Sequence, residues 1–122
     1  MADALDVPFI YVRSKAKGHG MTNLIEGKIV EGQKVVVIED LVSTGGSSLK
    51  AVADLRESNI EVLGMAAIFT YGFDIATNNF AEADCPLLCL SDYSHLLKVS
   101  NLDSDKLAEL QSWRSNPAAW KA

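Results

Sequence analysis

The chain alternates between short apolar runs and segments in which apolar residues recur at helical spacing. The clearest run is Val35 to Ile38, whose four β-branched residues are typical of a strand buried on both faces of a parallel sheet. Further strands are predicted at 62–69 and 87–90, and helices after residue 48 and over 74–83. The pattern therefore predicts an α/β fold, with a mainly parallel twisted sheet flanked by helices and connected by right-handed crossovers.

The first residues of the chain predict only the end of a helix. Ala2–Leu5 is typical of the last turn of a helix, and Pro8 breaks it before a short strand over Phe9–Val12. A folded domain seldom begins with the tail of a helix. We therefore expect the chain to be the carboxyl-terminal part of a longer protein.

The second half of the chain predicts three helices of unequal strength. The helix over 74–83 is expected to be weak, because Asn78-Asn79 has low helix propensity. The two that follow are marked by capping residues. The predicted N-caps are Ser91-Asp92 for a helix that runs through Leu97, and Ser104 or Asp105 for a helix that runs through Trp113.

Composition limits the possible functions. The 122 residues are 48% hydrophobic, enough for the core of one small domain. The net charge of −5 argues against nucleic acid or an anionic membrane as the main partner. There is no run of 18 apolar residues and no signal peptide, so the predicted location is the cytoplasm.

Some residues with chemical potential receive no ligand role. Cys85 and Cys89 do not form a C-x-x-C pair, and the two histidines, His19 and His95, are far apart, which argues against a zinc site. The thiols are expected to be reduced and buried. Trp113 is expected to be a packing anchor, because no polar residues converge near it in sequence.

Two acids and a loop of glycine and hydroxyl residues follow the first apolar run. Glu39 and Asp40 lie towards the carboxyl end of the predicted strand, where ligands bind to parallel sheets. The two glycines in Ser43–Ser47 allow the backbone to approach a ligand, and the amides of the next helix point at the same place. An ordinary turn with Ser47 as N-cap is the alternative, but the acid pair favours a sugar-phosphate site.

A basic segment precedes this strand, although the chain is acidic overall. Arg13, Lys15, Lys17 and His19 lie close together, and two glycines bracket the histidine. Such a cluster is usually a solvated loop. The functional interpretation is a lid that places cationic donors on the negative charge of a departing diphosphate.

Both segments resemble one family. Ile38–Ser47 resembles the phosphoribosyl pyrophosphate (PRPP) motif of type I phosphoribosyltransferases, and the basic segment resembles the flexible catalytic loop of orotate phosphoribosyltransferases. That loop matches at Arg13, Lys17, His19 and Gly20. It departs at Ser14, where many relatives carry a lysine, and Lys15 lies one place further on. The chain thus resembles the carboxyl-terminal portion of these enzymes, without the hood over the nucleobase.

The resemblance implies a fold, a reaction and partners. The fold is that of type I phosphoribosyltransferases without its N-terminal part, with residues 1–122 as the core domain and 13–23 as the flexible catalytic loop. The reaction is transfer of ribose 5-phosphate from PRPP to orotate, giving orotidine 5′-phosphate and diphosphate, in pyrimidine biosynthesis. Mg²⁺ is the implied cofactor, held mostly by substrate oxygens and water. A homodimer that shares the basic loop between subunits is also implied.

The resemblance also assigns roles to residues. Arg13, Lys17 and His19 would stabilise the diphosphate, and Glu39 and Asp40 would bind the ribose hydroxyls. The implied catalytic residues are Lys17, His19 and Asp40. The other implied substrate contacts, whose amides and hydroxyls include those that hold the 5-phosphate, are Leu41, Val42, Ser43, Thr44, Gly45, Gly46 and Ser47.

Three alternatives stay open. A phosphoribosyltransferase that acts on a purine or uracil would share residues 38–47 but not the pattern at 13–20. A truncated, non-catalytic module would bind PRPP or dimerise without turnover. The third alternative is an α/β domain that binds no phosphate.

Overall fold

The computed structural model describes residues 1–13 and 24–119. The elements are α1 (Ala2–Leu5), β1 (Tyr11–Val12), β2 (Ile25–Glu26), β3 (Lys34–Val42), α2 (Gly46–Glu57), β4 (Glu61–Thr70), α3 (Asp74–Glu82), β5 (Leu87–Asp92), α4 (Tyr93–Val99), α5 (Ser104–Ser115) and a 3-10 turn (Pro117–Ala119). Strands β3, β4 and β5 form a parallel sheet in that order, and β1 pairs with β2 in an antiparallel ribbon, which confirms the predicted α/β class. None of the described helices has the length and apolar character to span a membrane.

One face of the parallel sheet packs against helices α2 and α3. Apolar residues on these helices recur at helical spacing, so each helix presents one stripe to the sheet. On β3, the partly buried Val35 and Val37 pack against the hydrophobic core between the sheet and these helices. The buried residues of this core are Ile25, Val42, Val52, Leu55, Ile60, Val62, Met65, Ala67, Ala76, Phe80 and Cys85.

The other face of the sheet is uncovered, so the expectation that β3 is buried on both faces is wrong for the described chain. Burial alternates along β3, as the pleat requires when only one face is covered. Val36 and Ile38 are each 52% exposed. We call this surface the open face; it consists of Val36, Ile38, Ile68, Leu88 and Leu90.

Most predicted boundaries are confirmed, with small shifts at the ends. Strand β1 is shorter than the predicted Phe9–Val12. Asp92 caps α4 as predicted, because its side chain accepts from the amide of His95 at 2.9 Å. The main-chain and ring N–H groups of His95 together lower the pKa of the Asp92 carboxyl. The N-cap of α5 is Asp103 rather than either predicted residue, and it accepts from Lys106 N at 2.9 Å.

An aromatic cluster anchors α5, which has no buried residue of its own. The ring of Trp113 lies 5.7 Å from that of Tyr71, 5.9 Å from Phe73 and 5.5 Å from Tyr93. Arg114 donates to the carbonyl of Tyr71 at 2.9 Å and to that of the following glycine at 2.7 Å. Trp113 is therefore a packing anchor, as predicted, at the carboxyl end of β4.

The two thiols should react slowly with iodoacetamide, and at different rates. Burial raises the pKa of both Cys85 and Cys89, and the Asp92 carboxylate raises that of Cys89 further. Because the thiolate is the nucleophile, both should react more slowly than free cysteine at about pH 8 and accelerate as the pH rises. Cys85 is only 4% exposed, so it should react more slowly than Cys89.

Mass spectrometry of timed reactions, with Cys89→Ser as the control, checks this order. Faster labelling of Cys85 would contradict its burial.

Because burial raises the pKa of both thiols, the two groups contribute to the free energy of unfolding only while they are protonated. That contribution should disappear as the pH rises above about 8.5 and through the raised values.

Candidate functional site

The two acids lie inside β3, before its carboxyl end. Because successive side chains on a strand point to opposite faces, Glu39 and Asp40 do not point the same way. Glu39 is half-buried on the face covered by helices, whereas Asp40 is exposed on the other. One carboxylate oxygen of Asp40 accepts from the amide of Leu41 at 2.7 Å. The pair that the sequence places side by side is thus split between the two faces of the sheet.

The last two residues of β3 differ in what they offer a ligand. Leu41 is 44% exposed, and the side chain of Val42 is fully buried. The carbonyl of Val42 accepts from the hydroxyl of Thr70 at 3.1 Å and from the amide of Tyr71 at 3.3 Å. The side chain of Val42 thus packs inside the protein and its carbonyl is hydrogen-bonded, whereas the side chain of Leu41 is exposed.

The loop after β3 leads into a helix without a side-chain cap. The N-cap is Gly45, so the alternative of Ser47 as N-cap is wrong. Leu49 has the first paired amide in α2, and this amide donates to the carbonyl of Gly45 at 2.8 Å. Within residues 1–13 and 24–119, no acceptor pairs with the amides of residues 46–48. These groups and the exposed side chains of residues 43, 44 and 47 form a surface rich in donors, suited to an anion.

Gly45 is required by both conformation and space. Its φ of +82° lies in the left-handed region, which L side chains rarely adopt. A Cβ built there would lie 2.6 Å from Cε2 of Phe80, a buried residue of α3. Beside it, Nδ2 of Asn79 donates to the carbonyl of Thr44 at 2.9 Å. Two consecutive residues of α3 thus contact two consecutive residues of the loop.

Sequence reasoning missed three residues that shape this loop, namely Thr70, Asn79 and Phe80. From the sequence, Asn79 indicates only a weakness of its helix, and Phe80 is not singled out. The one available signal for Thr70 is its place directly after the strand predicted at 62–69. All three contacts join residues far apart in sequence, so no local pattern reveals them.

Of the predicted basic residues, only Arg13 lies within the described chain. Its Nε is 2.6 Å from Oε1 of Glu26, without the direction that a hydrogen bond needs, and its amide donates to the carbonyl of Leu24 at 2.8 Å. Arg13 is therefore held by an ion pair at the base of the predicted loop. Lys17 and His19, with the rest of 14–23, lie outside the described residues.

The donor groups for a metal ion are few. In the described ranges, no group of three or more His, Cys, Asp or Glu side chains gathers in a way that could hold an ion. The exposed carboxylate of Asp40 is the nearest candidate beside the loop. One carboxylate fits Mg²⁺ when substrate oxygens and water supply the other ligands, which is common for this ion.

These features define an α/β domain with a candidate anion site at the carboxyl end of β3. Residues 1–84 match the phosphoribosyl transferase domain. The chain therefore belongs to the phosphoribosyltransferase family. Its fold is the type I fold expected from the sequence, with the sheet and flanking helices in the arrangement of solved relatives.

The relatives that this chain matches are longer than the chain itself. Orotate phosphoribosyltransferase from Cytophaga hutchinsonii is 57% identical over 99% of the chain, which spans 60% of that protein. Among solved structures, UMP synthase of Leishmania donovani has a TM-score of 0.74 and 27% identity, covering 93% of this chain and 25% of that one. Orotate phosphoribosyltransferase of Mycobacterium tuberculosis H37Rv, in complex with PRPP, has a TM-score of 0.60 and 31% identity, covering 72% of this chain and 49% of that one.

Proposed function

We propose that this chain carries the PRPP-binding part of an orotate phosphoribosyltransferase. The reaction breaks the bond between ribose C1 and diphosphate and forms one to a ring nitrogen of orotate, giving orotidine 5′-phosphate. The observation that supports it best is the uncapped start of α2 behind the loop 43–45, which leaves successive amides unpaired. The 57% identity with the Cytophaga enzyme supports orotate as the acceptor.

The loop would bind the 5-phosphate of PRPP. Each helix-terminal charge contributes only about 0.3–1 kcal/mol, so binding must come from several amides together with the hydroxyls of Ser43, Thr44 and Ser47. By family analogy Ser43 also contacts orotate. Gly46 is exposed and carries no side chain, so phosphate oxygens are able to reach its amide directly, whereas Gly45 is buried.

The acids would bind the ribose from two sides of β3. Because Glu39 and Asp40 point to opposite faces, the sugar must lie across the end of the strand for both to reach its 2- and 3-hydroxyls. Asp40 would also hold Mg²⁺, which when bound offsets part of the charge of the diphosphate. Such placement of charges serves a transition state in which the sugar becomes cationic.

The basic segment would complete the site. Arg13, Lys17 and His19 would stabilise the diphosphate as it leaves, with residues 13–23 acting as the flexible catalytic loop. In orotate phosphoribosyltransferases this loop reaches the active site of the neighbouring subunit. We therefore propose a homodimer that works in the cytoplasm.

Calorimetry and a turnover assay test the proposal. The chain should bind PRPP in the presence of Mg²⁺, and the natural gene product should consume orotate only when PRPP and Mg²⁺ are present. A chain that does not bind millimolar PRPP would contradict the site. Consumption of a purine or uracil in place of orotate would contradict the acceptor but keep the family.

A second candidate function is PRPP binding without turnover. It requires only the loop and the acids described above, and the chain spans about 60% of the length of the curated relatives that it matches. Binding of PRPP by this chain together with no consumption of orotate would support it. Turnover by the same chain would overturn it.

Replacing Asp40 with asparagine should weaken PRPP binding about tenfold, the effect of losing one charge-assisted hydrogen bond. The protein should stay folded, because the carboxylate is exposed. Calorimetry measures the change. Glu57→Gln, which removes the same charge from an exposed residue at the far end of α2, is the matched control and should bind PRPP normally. Equal losses in both variants would indicate an effect of net charge alone.

A further inference from the structure

We propose that Asn79 is a positioning residue for the phosphate loop, an inference that rests on the function proposed above. The proposed role of this residue is to hold the loop through a hydrogen bond. Its Nδ2 donates to the main-chain carbonyl of Thr44 at 2.9 Å, from helix α3, which lies beneath the loop. It thereby fixes one peptide plane, and that plane decides which loop groups face an incoming anion.

The orientation of this peptide plane has a direct electrostatic consequence. In a trans peptide, the carbonyl of one residue and the N–H of the next point in opposite directions. The bond from Asn79 draws the carbonyl of Thr44 towards α3, so the N–H of Gly45 points away from α3. Gly45 is a buried residue, and within the described ranges no acceptor pairs with its N–H, so this donor is left for an acceptor that the described residues do not supply. A reversed plane would aim the carbonyl oxygen of Thr44 at the anion and remove a donor.

A second contact from the same helix supports this arrangement. Phe80, next to Asn79, is 4% exposed and lies where a Cβ of Gly45 would be. The ring limits how far Gly45 moves towards α3, while the amide of Asn79 holds the preceding carbonyl. Because both contacts restrict the loop, it should be pre-organised before the ligand arrives, which reduces the ordering cost of binding.

Asn79 also differs from its neighbour in a way that provides a control. Asn78 has the same side chain and lies on the same helix, but this side chain is exposed and makes no hydrogen bond to the described residues. Any effect of helix propensity should be similar at both positions, and Asn79→Leu adds no charge. An effect confined to position 79 therefore reports the contact with Thr44.

The experiment compares wild type, Asn79→Leu, Asn79→Asp and Asn78→Asp. Leucine and aspartate are close to asparagine in size, and neither donates a hydrogen bond to the carbonyl of Thr44. We expect both changes at Asn79 to weaken binding of PRPP and of ribose 5-phosphate about tenfold, as for one lost donor, and Asn78→Asp to change it less than about twofold. Binding of free diphosphate, which lacks the 5-phosphate, should stay the same.

The outcomes separate this inference from the proposed function. If wild type binds neither PRPP nor ribose 5-phosphate, the proposed function is overturned, and the inference with it. If wild type binds but the Asn79 variants bind equally well, only the inference is overturned, and a lower free energy of unfolding in urea would then show a purely structural role. Should the leucine variant not fold, as judged by circular dichroism, Asn79→Asp decides.

Discussion

Replacing Gly45 with alanine should lower the free energy of unfolding by about 2–5 kcal/mol. Part of this loss comes from forcing an L side chain into the left-handed conformation, since Gly45 has a φ of +82°. The rest comes from the new Cβ, which would lie 2.6 Å from Cε2 of Phe80. That ring is in the core, so it moves only by disturbing its neighbours. Urea denaturation followed by circular dichroism measures the loss.

Gly46→Ala is the matched control for this substitution. Gly46 does not have a positive φ. Among the described residues, leaving aside its chain neighbours and the backbone of its own helix, a Cβ there would have only Oγ1 of Thr44 within 4 Å, at 3.9 Å. It is also the first residue of α2, where alanine is favourable. The free energy of unfolding should therefore change by no more than about 0.5 kcal/mol.

A double variant isolates the steric part of the effect. In Gly45→Ala/Phe80→Leu the ring that the new Cβ would meet is absent, so the alanine causes only backbone strain at residue 45. The double variant should therefore lose less free energy of unfolding than the two single variants together, by about 1 kcal/mol or more. Additive losses would show that the ring of Phe80 does not restrict residue 45. The same variants, titrated with PRPP, would then show how far binding depends on the loop conformation.

Replacing Leu55 with alanine should lower the free energy of unfolding by about 2–5 kcal/mol, whereas the same change at Leu90 should cost about 0.5 kcal/mol or less. Leu55 is 2% exposed, between α2 and the sheet, and its removal leaves a cavity. Leu90 is 78% exposed on the open face, so its removal leaves none. The two variants remove the same atoms, and urea denaturation compares them directly.

A large loss at Leu90 would contradict an uncovered sheet face. Repeating the denaturation at several protein concentrations shows whether a second copy is the cover, because self-association makes stability depend on concentration. If both leucines cost the same at every concentration, the open face is packed within the chain itself.

The sequence by itself determined the elements and the family. The β-branched run Val35–Ile38 predicts a strand because crowded side chains fit a pleated surface. The loop with Gly45 and Gly46, followed by a helical pattern, predicts a strand–loop–helix unit with a candidate anion site. These features are local, since each depends on residues a few positions apart. For the same reason Asp92 was identified correctly as the cap of α4.

Only the tertiary structure decided what lies around that loop. It placed Asn79 and Phe80 beneath Thr44 and Gly45, and it showed that Val36 and Ile38 face away from the helices. Burial on one or both faces depends on what packs over a strand, which an apolar run does not record. Contacts between distant segments depend on how helices and strands pack, because many sequences satisfy the same local pattern. The chemistry of the loop could therefore be predicted from the sequence, whereas the contacts that hold its shape could be identified only from the fold.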